Sequence, residues 1–241
     1  MAQFYYKIYQ ICPLSCDKIL TIILIMAPNK IENLKNDIKQ CDICKEALSA
    51  GPRPIVQFSA KSKILIIGQA PGSRVHESGI AWDDNSGDRI RQWMNVDKHI
   101  FYDEDKIALI PMGFCYPGKG KGGDLPPRRE CAPAWHDQIM RHLPADKLIL
   151  LVGSYAQIYY MPQDKKLSMT QRVRNFGINN FEDDKGVNIN KGGNNNGDNN
   201  KVIALPHPSW RSTNWMRQNP WFEDEILPKL RLAIKQQLCQ S

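Results

Sequence analysis

The chain has 241 residues, of which 42% are hydrophobic and 24% charged; it can bury a full core, which excludes a wholly disordered protein. No apolar run reaches the roughly 18 residues that a membrane-crossing helix needs, so no membrane partner is expected. Lys and Arg number 32 against 25 Asp and Glu, and the resulting net charge of +7 permits a nucleic-acid partner without identifying one.

Residues 1–40 read as an N-terminal extension. Residues 19–26 are an apolar run broken only by Thr21, but Lys7 is the only cation ahead of Asp17 and no A-x-A site follows. A secretory signal is therefore not expected; an extra strand or helix is, and translation from Met26 instead of Met1 would remove most of it. Residues 41–241 read as the main domain. The apolar run 63–67, ending at Gly68, predicts a buried parallel strand. A helix is predicted over 87–94, a strand over 107–112 and a helix over 130–143, with Trp135, Ile139 and His142 or Leu143 at helical spacing. A strand is predicted over 147–152, followed by a helix to Met161 that Ser154 caps. The Asn- and Gly-rich stretch 178–200 has little to bury and predicts a disordered surface insert. Residues 202–205 read as the last strand, and 222–238 as a helix that Pro228 kinks or enters in the first turn of its second part. This order predicts an α/β fold with three layers, α/β/α, around a central, mainly parallel four-stranded sheet. Sites in such sheets lie beyond the carboxyl ends of the strands.

Two strand-end loops stand out. Gly68-Gln69-Ala70-Pro71-Gly72 is a tight turn whose backbone can approach a ligand closely; it has neither the Gly-Lys-Ser/Thr of a P-loop nor the G-x-G-x-x-G spacing of a dinucleotide site. In Pro206-His207-Pro208-Ser209-Trp210-Arg211, two prolines stiffen a histidine, with an aromatic and a cation just beyond. Seven cysteines at uneven spacing in a chain this long do not form a disulfide framework. A reducing cytoplasm fits them, and there a Cys cluster more often serves metal or catalysis.

Taken in order at two strand ends, these loops resemble the two signature motifs of the uracil-DNA glycosylase superfamily, over about residues 41–238. The chain is most similar to the iron–sulfur branch and its uncharacterised glycosylase-like relatives, because Cys41-Asp42-Ile43-Cys44, Cys115 and Cys131 match that branch's four-Cys pattern. The resemblance implies a [4Fe–4S] cluster on these cysteines; zinc is the alternative for a Cys₄ set. It further implies a DNA-repair glycosylase, a hydrolase that flips a damaged or deaminated base, uracil or a relative, and cleaves its N-glycosidic bond. Its partner would be DNA, single-stranded or a mismatched duplex, and a cytoplasmic monomer is expected.

The resemblance assigns roles residue by residue. His207 would stabilise the leaving base anion. Gln69, Ala70, Pro71, Gly72 and Ser209 would line the base pocket, and Trp82 would stack on the flipped base; ordinary core packing is the alternative for Trp82. Pro208, Trp210 and Arg211 would face the DNA, with Lys119, Lys121 and Arg128 contacting phosphate or forming a solvated surface loop. Two positions depart from the pattern. Ala70 stands where the most active branch has a water-positioning carboxylate, and Pro111 stands about where many relatives read uracil with an Asn. Asp83 and Asp84 are the nearest substitute carboxylates, or else helix N-terminal charges. The departures leave two other readings open: a non-catalytic iron–sulfur nucleic-acid-binding protein of the same fold, and an enzyme for a different nucleobase or a free nucleoside.

Overall fold

The computed structural model describes residues 30–178 and 200–239; the expectations for residues 1–29 and for the interior of the 178–200 insert lie outside them. In chain order the helices and strands are α1 (Lys30–Lys39), β1 (Ile64–Ile67), α2 (Ser73–Ser78), α3 (Asn85–Met94), α4 (Lys98–Phe101), β2 (Ile107–Leu109), β3 (Lys119–Gly120), β4 (Gly123–Asp124), α5 (Asp137–Met140), β5 (Leu148–Val152), α6 (Ser154–Tyr160), α7 (Met169–Ile178), β6 (Lys201–Leu205), α8 (Ser212–Gln218) and α9 (Leu227–Cys239).

Four strands form one parallel sheet in the order β2-β1-β5-β6, with Ile64 opposite both Ile107 and Leu148, and Leu148 opposite Lys201. Side chains alternate across the sheet. Leu65, Ile67, Ile149 and Leu151 face one layer with Ile31, Leu34 and Ile38 of α1, Ala156 of α6, and Ile139. Ile64, Ile66, Leu148 and Leu150 face the other with Ile90, Trp93 and Met94 of α3 and Leu230, Ala233 and Ile234 of α9. Apart from the exposed Lys201 at the start of β6, the strands of the sheet are apolar because both faces are covered, and the architecture is the expected three-layer α/β/α. The apolar stripe of α1 joins this core ahead of Cys41.

Local chemistry accounts for the departures from the sequence reading. β2 closes at Leu109 rather than at residue 112, although the Ile110 and Met112 N–H groups on either side of Pro111 still donate to the end of β1 and the turn after it. The helix expected over 130–143 is a wide π turn, Ala132–His136, running into the short α5; Pro133 near its start removes one of the usual helical donors. Ser154 does not cap α6. Gly153 takes the cap position, and Ser154 is the first residue inside the helix. A second π turn, Phe222–Ile226, precedes α9, and Pro228 falls in the first turn of α9. The sequence reading omitted the short helices α2, α4 and α8, as well as α7 and the β3–β4 hairpin.

Candidate active-site cleft

The carboxyl ends of the strands are laced together before any cleft forms. Beyond β2, the N–H groups of Ile110, Met112 and Gly113 donate to the carbonyls of Ile66, Gly68 and Gln69 at 3.0, 2.9 and 3.0 Å. The loop after β2 (the second loop) is therefore bonded along the loop after β1 (the first loop). At the end of β6, the Leu205 carbonyl accepts from the Gly153 N–H at 2.9 Å and from Gln157 Nε2 at 2.8 Å. Arg172 Nε donates to Gln157 Oε1 at 3.0 Å and holds that amide in orientation. Past β6, Ser212 Oγ donates to the His207 carbonyl, and Arg89 of α3 donates to the Ser209 carbonyl at 2.6 Å. The histidine loop is thus held at three points on two layers.

Between these loops lies a cleft of about 430 Å³, within the range of small-ligand sites. Gln69, Ala70, Pro71, Gly72, Trp82, Asp84, Pro111, Asp124, His207, Ser209, Trp210 and Arg211 are among its walls. The structure therefore brings both signature loops to one place.

Trp82 has φ +57°, a left-handed conformation that a bulky residue rarely adopts. Two glycines make room for it. A Cβ on Gly68 would meet the indole Cζ2 at 2.7 Å, and one on Gly87 would meet the Trp82 carbonyl at 1.7 Å. The backbone strain turns the indole across the end of β1, where it stacks on His207 with centroids 6.1 Å apart and planes 26° apart. Burial lowers the proton affinity of His207 below its ordinary value, and the nearby Asp84 carboxylate works in the opposite sense. A neutral imidazole with one N–H to donate follows at neutral pH.

Asp84 does two things. Its Oδ1 accepts from the Gly87 N–H at 2.8 Å and caps α3, and the residue also lines the cleft. Asp83, nominated beside it, is not among the lining residues; its N–H donates to the Ile80 carbonyl in the preceding turn. Pro208 is buried, whereas Trp210 is 76% exposed at the mouth. The Arg211 guanidinium lies 5.6 Å from the Trp210 ring centre and donates to the Gly122 carbonyl at the hairpin tip at 2.7 Å. Lys119 and Lys121 are exposed on that hairpin. Arg128 is engaged elsewhere: it pairs with Glu130 and hydrogen-bonds the Cys44 thiol, and it does not line the cleft.

Three residues at or beneath the cleft had no signal in the sequence reading. His136, 1% exposed, donates from Nε2 to the Pro111 carbonyl at 3.0 Å and accepts the Tyr160 hydroxyl at Nδ1. Burial pulls its pKa down to about 4, so it is a neutral strut under the second loop. Asp124 of β4 lines the cleft, and Tyr116 donates to it at 3.2 Å. All three contacts join residues that no spacing rule connects.

The four nominated cysteines come from three segments. Cys44, Cys115 and Cys131 are buried in one core cluster and Cys41 is half-buried beside them. Cys131 hydrogen-bonds Cys44, and Cys41, Cys44 and Cys115 all act electrostatically on Cys131. Burial pushes the Cys115 thiol up to about 11 and Cys131 to about 12, with the neighbouring thiols adding to the rise. Among the described residues, no three His, Cys, Asp or Glu side chains are arranged to hold a metal ion. The donor chemistry, four thiols from three segments within electrostatic reach of one another, fits a thiolate-held group.

Among the described residues no helix is long and apolar enough to cross a membrane. The sheet order, the paired loops and the histidine-bearing cleft agree with a comparison against protein-family models, in which residues 55–231 match the uracil DNA glycosylase superfamily. That match spans most of the chain, and the protein belongs to the uracil DNA glycosylase superfamily.

Proposed function

We propose that the protein is a DNA-repair N-glycosylase that flips a deaminated or damaged base, uracil or a close relative, into the cleft and hydrolyses its glycosidic bond. The observation that carries this reading is the neutral His207 facing the first loop across one cleft, with Trp82 strained into a stacking position beside it. A flipped base needs an aromatic face, a donor for its developing negative charge and a dry pocket. Trp82 supplies the face and the His207 imidazole N–H the donor. Gln69 and the chain from Ala70 to Gly72 line the wall. Of the two nominated carboxylates, Asp84 is retained, because it lines the cleft and acts on His207. Trp210, Arg211, Lys119 and Lys121 form an exposed rim suited to a sugar–phosphate backbone.

The same reading takes in a [4Fe–4S] cluster held by Cys41, Cys44, Cys115 and Cys131, with zinc as the alternative on the same ligands. Its role is structural: it ties the chain after α1 to the second loop and to the π turn. The protein would work as a cytoplasmic monomer on single-stranded or mismatched DNA. Pro111, in place of an amide that reads uracil, favours testing several bases. Oligonucleotides carrying uracil, hypoxanthine or xanthine, single- and double-stranded, are incubated with the protein and cleaved with alkali. Strand scission at one base supports the reading. Binding without scission at any base supports a non-catalytic binding protein instead.

A further inference from the structure

Ala70 leaves the first loop without a carboxylate of its own, and Asp124 brings one to it from another element. Asp124 lines the cleft, and its Oδ2 lies 3.4 Å from where a Cβ on Gly72 would stand. Nothing larger than glycine separates the carboxylate from the first loop. Its Oδ1 accepts from the Tyr116 hydroxyl at 3.2 Å, and Tyr116 is buried, so the carboxylate is held at one oxygen while the other faces the loop. Among the described residues no Lys, Arg or His forms an ion pair with it. The hairpin that carries it is clasped at both ends: the Leu125 N–H donates to the Gly118 carbonyl at 2.8 Å, and Arg211 to the Gly122 carbonyl at 2.7 Å. Asp84 likewise spends one oxygen, as the cap of α3, and its charge acts on His207.

We infer that Asp124 is the catalytic carboxylate that faces the deoxyribose, holding the attacking water and opposing the positive charge that develops on the sugar. The inference rests on the glycosylase reading. In the step it implies, the water oxygen bonds to C1′ as the bond from C1′ to the base nitrogen breaks. The electron pair of that bond leaves on the base, whose charge the His207 N–H stabilises. The water proton passes to Asp124, which returns it to solvent, and the base anion takes a proton from solvent. Three groups from three loops then divide the work: Trp82 holds the base, His207 its charge, and Asp124 the sugar side.

The test reads the sugar side without requiring turnover. Binding is measured to two duplexes, one with a cationic pyrrolidine abasic analogue and one with the neutral tetrahydrofuran analogue. Wild type should prefer the cation. Asp124→Asn should lose about fivefold of that preference, the size of one exposed ion pair, while Asp124→Glu keeps most of it. On whichever base is excised, Asp124→Asn should also slow single-turnover cleavage by about 100-fold or more. An Asn variant with the wild-type preference for the cation overturns the inference, as does a wild type with no preference at all. Absence of excision by wild type on every base is a different failure: it sinks the glycosylase reading, while the cation preference still reports whether Asp124 faces the sugar position.

Discussion

The cleft and the cysteine-bearing corner are both built from loops around the same sheet, yet they treat polar groups in opposite ways. In the cleft, His207, Asp84, Asp124 and Gln69 line one open space. Their partners hold them from behind: Tyr116 on Asp124, the Gly87 N–H on Asp84, and Ser212 on the carbonyl of His207. In the corner, polar groups turn on one another. Arg128 pairs with Glu130 and reaches Cys44, and Cys131 bonds Cys44. A site meant for a passing ligand keeps its functional atoms unspent; a corner that locks segments together consumes them. The histidines repeat the contrast. His207 stands in the cleft, while both ring nitrogens of His136 are bonded inside the core.

The contrast is sharpest at His207. His207→Ala should lower excision by about 10²–10³-fold, the usual cost of one donor to a developing anion, and leave duplex binding nearly unchanged. An equal loss of binding would make the residue a structural part of the loop. For the cluster proposed in the corner, Cys131→Ser should remove the iron and its broad visible absorption and lower the midpoint of thermal unfolding. Full iron content in that variant would show that Cys131 is not one of the ligands. His136 is expected to matter through stability. Its folded pKa of about 4 lies below the ordinary value near 6.5, so the unfolded chain takes up the proton first as pH falls. The stability it contributes is present above pH 6.5 and is lost on descending toward pH 4. Between pH 7 and pH 5 this is a loss of about 2 kcal/mol, which urea melts of wild type should show and His136→Gln should lack. Trp82→Ala should weaken binding of a flipped base by about 1–2 kcal/mol, in the lower part of the stacking range because the ring already stacks on His207. Smallest is Arg211→Ala, which should reduce the slope of log affinity against log salt by about 0.9, one phosphate contact; an unchanged slope would leave Arg211 as a clasp of the hairpin alone.

What was legible in the sequence followed from local physics. The runs at β1 and β5, and β6 after Lys201, are apolar without a break because both faces of the sheet are covered, and the prolines and glycines around His207 and after Ile67 mark stiff turns at strand ends. The first residues of helices were harder. Ser154 looks like a cap, but Gly153 can adopt φ +84° and takes the position instead. The hairpin of β3 and β4 alternates lysine with glycine and has no apolar period to detect. Asp124, Tyr116 and His136 owe their places to contacts between separate loops, and no spacing in one strand or helix encodes those. Trp82 was nominated by resemblance; its left-handed backbone, made possible by Gly87, is visible only once the chain is folded.

The central claim is that the cleft breaks the bond between a base and its sugar. The most direct measurement is mass spectrometry of what leaves a duplex carrying a single uracil or other deaminated base, with wild-type protein in excess. The account predicts an intact free nucleobase and an abasic strand in equal amounts, both forming about 10²–10³-fold more slowly in His207→Ala. Bound, unaltered DNA with no released base, for every base offered, would contradict it.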